Sequence, residues 1–319
     1  MDRCPLVTVG VVTYNSGEFI ESTLDSIKNQ DYQNIELVIS DDCSSDDTVS
    51  KCESWLEKNS ARFVRVKLVT VAKNTGVSGN SNRALNEAHG IWYKCFDGDD
   101  ILLPHAISLY VSFVNEYPEA IHVAAKTTHM NDNNNTLYKD DMLTKYYCRE
   151  KISAQKQYSV ISKFLFVECP TYFSKVSAMR DVGGFDERFP SQEDYPLLIK
   201  MVSKGHKIYF LDEVTVKYRV RTDSISHTKK DESFLPSNTV KMIKVYKYEY
   251  KTEHSNAFWR LMMKFSLKLQ NLIVDSGNNR KSFLCSFFYI VYFLLDPYAW
   301  CVRYAKIMAI IYSKRHNNY

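Results

Sequence analysis

The opening third of the chain alternates between short apolar runs and helical patterns, and this alternation most constrains the fold. Apolar runs predict four buried strands, at 6–12, 35–40, 64–71 and 91–96. Apolar residues at helical spacing predict helices between them, at about 18–29, 49–58 and 78–89. Strands joined by helices form parallel sheets, so we expect an α/β domain with a mainly parallel, Rossmann-like sheet and helices on both faces.

Polar residues follow each predicted strand. The first strand ends at Thr13-Tyr14-Asn15, the second at an acidic, hydroxyl-rich loop from Asp41, and the third near Asn74. The carboxyl ends of parallel strands meet at one edge of the sheet, where α/β folds bind ligands. The polar loops therefore indicate a ligand site at that edge.

Three carboxylates crowd the end of the fourth strand, in Asp97, Asp99 and Asp100. Like charges this close repel one another unless a cation or a polyhydroxyl ligand separates them. Hard oxygen ligands suit Mg²⁺ or Mn²⁺, which usually arrive with the phosphates of a substrate. The alternative is a solvated turn that caps a helix beginning at 102–104. We expect Asp100 to be that cap, with a contact to the substrate as its second interpretation.

A set of short motifs makes the chain resemble the family 2 glycosyltransferases. They are Val-Val-Thr-Tyr-Asn at 11–15, Ser-Asp-Asp-Cys-Ser at 40–44, Asn-Thr-Gly-Val-Ser-Gly-Asn-Ser-Asn-Arg at 74–83, Asp-Gly-Asp-Asp at 97–100, Gly-Gly-Phe-Asp at 183–186, Gln-Glu-Asp-Tyr at 192–195 and Tyr-Arg-Val-Arg-Thr-Asp-Ser-Ile-Ser at 218–226. Their order over residues 5 to about 228 implies the GT-A fold and an inverting transfer of sugar from a nucleotide-sugar to a glycan hydroxyl.

Two other classes compete with this interpretation. A nucleotidyltransferase or another sugar-nucleotide enzyme would carry a glycine-rich, lysine-bearing phosphate loop after the first strand, and residues 13–18 do not form one. A non-catalytic glycan-binding relative would lack an acid at 97, 99 or 194, and all three positions keep theirs.

The resemblance implies how the donor is held. Thr13, Tyr14 and Asn15 would lie beside the nucleoside, and Asp41 would accept a hydrogen bond from the base. Uracil N3–H is a donor, so a carboxylate there favours a uridine or thymidine nucleotide, and of these we expect a UDP-sugar. The loop over the nucleotide would contain Asn74, Gly76 and Asn82.

Several neighbouring polar residues have two open interpretations. Asp42 and Ser44 would either bind ligand or cap the next helix. Arg83 would either reach the diphosphate or be a solvated helix residue. In the acidic motif, the resemblance implies that Asp97 contacts the ribose or a metal-bound water and that Asp99 ligates Mn²⁺ or Mg²⁺.

The second carboxylate centre, Glu193-Asp194, precedes the apolar stripe of a helix. The helix amino terminus stabilises carboxylates, so we expect low pKa values for both. By resemblance, Asp194 is the general base that takes the proton of the acceptor hydroxyl, and Glu193 positions the acceptor or the base. A base opposite the leaving group implies a single displacement with inversion.

The chain departs from the family at Arg221, where many relatives carry a histidine that contacts the metal or the diphosphate. A guanidinium has donors only and cannot ligate a cation. We therefore expect Arg221 to pair with the diphosphate, which leaves the third protein ligand of the metal open.

The carboxyl-terminal region differs in kind. We predict a GT-A catalytic domain over 1–235, with a nucleotide-sugar half at about 1–105 and an acceptor half at about 106–235, and a helical appendage over 236–319. The appendage carries a net charge of +9 in a chain of +4. Its apolar stretches at 283–295 and 298–312 are interrupted or too short to span a bilayer.

Basic, amphipathic helices of this kind are typical of proteins that lie on an anionic membrane surface. The alternatives are packing on the catalytic domain, packing on a second copy in a homo-oligomer, or a true span. Scattered cysteines with no signal peptide indicate a reducing cytosol. We expect a cytoplasmic enzyme at the inner face of the cell membrane, a polyprenyl-diphosphate-linked acceptor, and no nucleic-acid partner.

Overall fold

The computed structural model describes residues 4–130, 136–137, 142–162, 165, 167, 169–190, 192–220, 256–272, 282–295 and 297–316. The chain divides into two compact units. One comprises 1–158 and 166–219, and the other comprises 159–165 and 220–319. The predicted domain boundary at 235/236 falls outside the described residues and stays a prediction.

The first unit begins with the predicted parallel half of a sheet. Its strands are β1 (Val7–Thr13), β2 (Ile35–Asp41), β3 (Arg65–Thr70) and β4 (Trp92–Asp97), in the order β3-β2-β1-β4. Helices α1 (Ile20–Lys28), α2 (Thr48–Asn59) and α3 (Val77–Asn86) connect them. These bounds agree with the predicted ones to within about three residues, because the local periodicity is strong.

Burial explains why the strands read as continuous apolar runs. Every residue of β1 and β2 is buried, so both faces of these strands are covered. On one face the core includes Val7, Val9 and Val11 of β1. The α1 residues Ile20, Leu24 and Ile27 belong to the same core and recur at the spacing of one helix face.

The sheet continues into a second half with mixed strand directions. Its elements are β5 (Ile101–Leu102), α4 (Ala106–Glu116), β6 (His122–Met130), β7 (Thr136–Leu137), α5 (Met142–Cys148), α6 (Ala154–Ile161), β8 (Phe173–Lys175), α7 (Val176–Asp181), α8 (Asp194–Ser203) and β9 (Ile208–Arg219). Strand β8 joins β4 antiparallel, and β6, β9 and β5 follow. The α/β fold class is confirmed.

One local prediction is wrong. No helix begins at 102–104, and Asp100 is not a helix cap. Ile101 and Leu102 instead form β5, which pairs antiparallel with Lys217 and Val216 of β9, and α4 starts only at Ala106. Strand β9 comes from much later in the chain, so its pairing overrides the local helical preference.

The second unit is helical where it is described, as predicted. It contains α9 (Ala257–Asn271), α10 (Phe283–Leu295) and α11 (Pro297–His316), and α9 contacts both of the others. Within the described residues, no helix combines the length and apolarity needed to cross a bilayer.

Candidate active site

Strand register places the predicted donor residues side by side. Thr13 at the end of β1 pairs with Asp41 at the end of β2, and its neighbour Val12 pairs with Asp97 at the end of β4. The Gly98 N–H donates to the Val12 carbonyl at 2.9 Å, which draws the acidic loop against β1. Asp41 and Asp97 therefore flank Thr13 at the carboxyl edge of the sheet.

A hydrogen-bond network joins the loops after β1 and β2. The Asn15 N–H donates to Ser44 Oγ at 2.8 Å, and the Ser44 N–H donates to Asp41 Oδ1 at 2.8 Å. The Ser44 hydroxyl donates to the other oxygen of the same carboxylate. Asn15 and Cys43 adopt left-handed backbone, with φ of 50° and 68°. Ser44 thus orients the Asp41 carboxylate and does not cap α2.

Asp42 binds the loop after β3 and does not cap α2. Its buried carboxylate accepts the N–H groups of Thr75 and Gly76, at 3.0 and 2.8 Å, and a hydrogen bond from the Arg83 guanidinium. At the amino terminus of α2 it is Asp46 that accepts a backbone hydrogen bond, from the Thr48 N–H at 3.0 Å. The interpretation of Arg83 as a solvated residue is wrong, because the residue is half-buried against Asp42.

The loop predicted to cover the nucleotide is bound to the loop that carries the second carboxylate centre. Gly76 has a φ of +85°, and a Cβ there would lie 2.6 Å from the Pro190 carbonyl oxygen. The Ser78 hydroxyl donates to the Phe189 carbonyl at 2.7 Å. Gly76 is therefore required by this contact between protein segments, and its role toward a nucleotide stays a prediction, as does that of Asn74.

Asn82, one turn later on α3, also binds the segment that leads to the second carboxylate centre. Its amide donates to the Phe185 carbonyl at 2.9 Å and to Glu187 at 2.7 Å, while its oxygen accepts the Phe185 N–H at 2.9 Å. The predicted turn at Gly183-Gly184 is present, since both residues have positive φ. Asn82 holds this turn, and its contact with the nucleotide stays a prediction.

The two carboxylate centres lie within electrostatic reach of each other. Burial and the charges of Asp99 and Asp194 raise the pKa of Asp97 to about 7, against the opposing effect of Lys94. Burial and the charges of Asp194 and Asp97 raise the pKa of Glu193 to about 8. The fold has thus gathered four acids from two distant sequence motifs into one site.

The predicted low pKa of Glu193 is wrong. Glu193 is the residue before α8, as expected, and the Cys169 thiol forms a hydrogen bond with its carboxylate. Burial together with two neighbouring carboxylates outweighs the helix terminus and this thiol. Asp194 is the first residue of α8, and its Oδ1 accepts the Tyr195 N–H at 2.6 Å.

Sequence reasoning missed one charged residue of the site. Lys94 is completely buried in β4, and its ammonium donates to the Cys95 carbonyl at 2.8 Å and to the Pro170 carbonyl. Burial lowers its pKa to about 8, although nearby acids including Asp97 and Asp100 act to raise it. A lysine inside an apolar run was the available signal, because such a charge requires partners.

The donor set at the end of β4 fits a hard cation shared with a substrate. Asp97 and Asp99 are half-buried, and the pKa of Asp97 is raised first by burial and then by the charges of Asp99 and Asp194. A cation at this position would offset both effects. Among the described residues, no three His, Cys, Asp or Glu side chains gather into a metal cluster. Two carboxylates suit Mg²⁺ or Mn²⁺ when phosphate and water complete the coordination. Arg221 lies outside the described residues.

A comparison with family models decides the family of this chain. The family model described as "Glycosyl transferase family 2" matches residues 8–181. The chain belongs to this family. The glycosyltransferase matches include an Escherichia coli protein named UDP-Glc:alpha-D-GlcNAc-diphosphoundecaprenol beta-1,3-glucosyltransferase WfaP, which is 27% identical over 75% of this chain and 86% of the relative.

A second relative of this glycosyltransferase matches over a shorter stretch. It is the Campylobacter jejuni GalNAc(5)-diNAcBac-PP-undecaprenol beta-1,3-glucosyltransferase, 38% identical over 35% of each chain. Among solved structures, S. aureus TarS 1-349 in complex with UDP-GlcNAc has a TM-score of 0.61 at 16% identity, covering 98% of this chain and 93% of that chain. The structural likeness supports the GT-A fold.

Proposed function

We propose that this glycosyltransferase moves a sugar from a UDP-sugar to a hydroxyl of a polyprenyl-diphosphate-linked glycan, by a metal-dependent and inverting reaction. The product would belong to a cell-surface polysaccharide such as O-antigen or capsule. The observation that carries the proposal is the convergence of Asp97 and Asp99 with Glu193 and Asp194, seen in their mutual effects on pKa. An inverting transfer needs one centre for the leaving group and one for the acceptor proton.

The donor preference rests on Asp41. Both of its carboxylate oxygens accept hydrogen bonds from Ser44, which holds the carboxylate beside Thr13 with acceptor capacity left over. A carboxylate in this position accepts the N3–H of uracil. Two similar proteins agree with this choice, since one is named for UDP-Glc and the other was solved with UDP-GlcNAc.

The cation belongs at Asp97 and Asp99. When bound, Mn²⁺ or Mg²⁺ supplies charge neutralisation for the departing nucleoside diphosphate. Asp99 would ligate it directly, and Asp97 would contact it through the carboxylate or a bound water. A mannosyltransferase of similar fold, PcManGT from Pyrobaculum calidifontis, was solved with GDP-Man and Mn²⁺; its TM-score with this chain is 0.52 at 18% identity.

Asp194 is the proposed base. It takes the proton of the acceptor hydroxyl as that oxygen attacks the anomeric carbon from the face opposite the diphosphate. Glu193, with a pKa of about 8, is mainly protonated at neutral pH and can donate a hydrogen bond. A protonated Glu193 suits the role of orienting the acceptor or the base, and it leaves proton removal to Asp194.

Two observations support the proposed lipid-linked acceptor and the proposed location at the membrane. The named relatives act on undecaprenol-diphosphate-linked glycans. The helical region here exposes large apolar side chains beside basic ones, including Phe283, Ile307 and Lys306. We infer that the enzyme is peripheral on the cytoplasmic face of the membrane, where these helices bind anionic lipid.

The test is a transfer screen with the full chain. UDP-glucose, UDP-galactose, their N-acetyl forms, GDP-mannose and dTDP-rhamnose are offered with synthetic polyprenyl-diphosphate-linked sugars, with Mn²⁺ or with EDTA. Product mass and the anomeric configuration by NMR are measured. We expect a UDP-sugar product of inverted configuration that EDTA abolishes. Transfer only from GDP-mannose, retention of configuration, or full activity in EDTA would each refute the corresponding part.

A further inference from the structure

Arg219, the last residue of β9, is held against the acidic loop by two hydrogen bonds. Its backbone N–H donates to Asp100 Oδ1 at 2.8 Å, and its Nε–H donates to the Asp99 carbonyl at 2.9 Å. The side chain is only 7% exposed, so these contacts are sheltered from water. One arginine therefore bonds both residues that complete the acidic motif.

A third contact fixes the guanidinium itself. Its central carbon lies 4.5 Å from the centre of the Phe19 ring, just before α1. The Thr23 hydroxyl of α1 donates to the Asp100 carbonyl at 2.8 Å, so the same helix also holds the loop. The backbone of Asp99 and Asp100 is thus bound by β9 on one side and by α1 on the other.

We propose that Arg219 is a positioning residue for the Asp99 carboxylate. The inference rests on the proposed function, in which Asp99 ligates the cation. Holding the Asp99 carbonyl and the next side chain restricts the backbone on which the ligand is mounted, so the carboxylate is oriented before the cation arrives. Metal binding then requires less ordering of the loop.

An arginine is needed for this arrangement. The Nε–H donor and the planar group over Phe19 belong to the same rigid fork. A lysine keeps the charge but has neither an Nε–H in the chain nor a planar face. Arg219→Lys therefore removes the Nε–H bond to the Asp99 carbonyl and the contact with the Phe19 ring, and it keeps the backbone bond to Asp100 and the positive charge.

The experiment compares Arg219→Lys with a matched control, Arg62→Lys. Arg62 also donates its Nε–H to a carbonyl, that of Lys28 at 2.9 Å, and also lies over a phenyl ring, that of Phe63 at 5.6 Å. It belongs to the segment around a short 3-10 helix at Ser60–Arg62, away from the acidic loop. Mn²⁺ dependence of kcat and KM, Mn²⁺ affinity with UDP present, and Tm are measured for the full chain.

We expect Arg219→Lys to raise the Mn²⁺ concentration for half-maximal activity by about tenfold or more, with partial recovery of kcat at saturating Mn²⁺. Arg62→Lys should lower Tm while leaving the Mn²⁺ requirement within about twofold of the wild type, because a structural contact has no coupling to the cation. Equal Mn²⁺ requirements in all three proteins would overturn the proposal. So would equal shifts in both variants.

Two further variants keep the outcome decisive. Phe19→Leu leaves Arg219 in place and removes the ring beneath it, so it should raise the Mn²⁺ requirement a few-fold even if Arg219→Lys does not fold. Asp99→Ala separates the two levels of inference. If Asp99→Ala keeps full turnover, the proposed function fails; if it is inactive and neither Arg219→Lys nor Phe19→Leu shifts the Mn²⁺ requirement, only the role of Arg219 fails.

Discussion

The sheet and the carboxyl-terminal helices treat apolar residues in opposite ways. In β1, Val7, Val9 and Val11 are completely buried, whereas in α10 and α11 the side chains of Phe283 and Tyr304 are 88% and 63% exposed. Both regions are rich in large apolar side chains, but the sheet buries its apolar side chains within its own core. The helices leave theirs exposed, and large apolar patches on a protein surface mark interaction sites.

The same contrast separates the residues proposed for the reaction from those proposed to bind the membrane. The carboxylates and their supporting hydrogen bonds lie in the unit of 1–158 and 166–219, and the exposed apolar helices lie in the other unit. We therefore expect variants in the first unit to change the reaction and variants in the second to change membrane affinity. The following predictions test that division, in order of decreasing effect.

The largest effect is expected for the metal ligand. Asp99→Ala should reduce transfer at saturating Mn²⁺ by about a thousandfold or more, roughly 4 kcal/mol, because it removes the proposed carboxylate ligand of the cation. Membrane affinity should not change. The matched control is Asp31→Ala, which removes an aspartate bonded to Ser108 and His105 instead. Steady-state kinetics of both variants measure the loss of transfer. Normal turnover in Asp99→Ala would contradict the proposed role of Asp99 as a metal ligand.

The second prediction distinguishes the two acids at α8. Asp194→Asn should lower transfer by about a hundredfold or more while donor binding survives, because it removes the proposed base and keeps the size of the side chain. Glu193→Gln should stay within about threefold of the wild type at pH 7, since Glu193 with its pKa of about 8 is already mainly neutral there. The reverse ranking in single-turnover assays would make Glu193 the base.

The third prediction concerns pH. Protons compete with the cation for Asp97, whose pKa is about 7 without metal. The deprotonated form binds, so apparent Mn²⁺ affinity should rise about tenfold per pH unit below 7 and level off above it. Because the charge of Asp194 contributes to the raised pKa of Asp97, Asp194→Asn should move this midpoint to lower pH. Calorimetric titration from about pH 5.5 to 8.5 measures both curves; a flat wild-type curve contradicts the prediction.

The smallest effect is expected at the membrane. Phe283→Glu should weaken binding of the full chain to anionic vesicles by about five- to tenfold, because an aromatic side chain leaves the lipid. Val64→Glu is the matched control, since Val64 is an exposed apolar residue of the sheet unit. Co-sedimentation at low and high salt measures the difference. If both variants pellet equally, or if neither variant and not even the wild type pellets, the result would favour helices packed on protein.

Much of the parallel half could be predicted because its signals are local. Strand runs such as 35–40 and helix faces such as Ile20, Leu24 and Ile27 come from residues close together in the chain. The meeting of Thr13, Asp41 and Asp97 at one edge follows from the parallel arrangement alone. Roles at Asp42 and Asp100 could not be predicted in this way, because their partners come from other segments.

The sequence by itself determined the family, the alternation of strands and helices, and the positions of the acidic motifs, since each is expressed in neighbouring residues. Only the tertiary structure decided the burial, the hydrogen-bond partners and the pKa values of those acids. Glu193 has a raised pKa because Asp97 and burial come from distant segments, and Asp100 is a buried acceptor for Arg219 because β9 pairs with β5. Desolvation and charge act through space, so a local pattern cannot encode them.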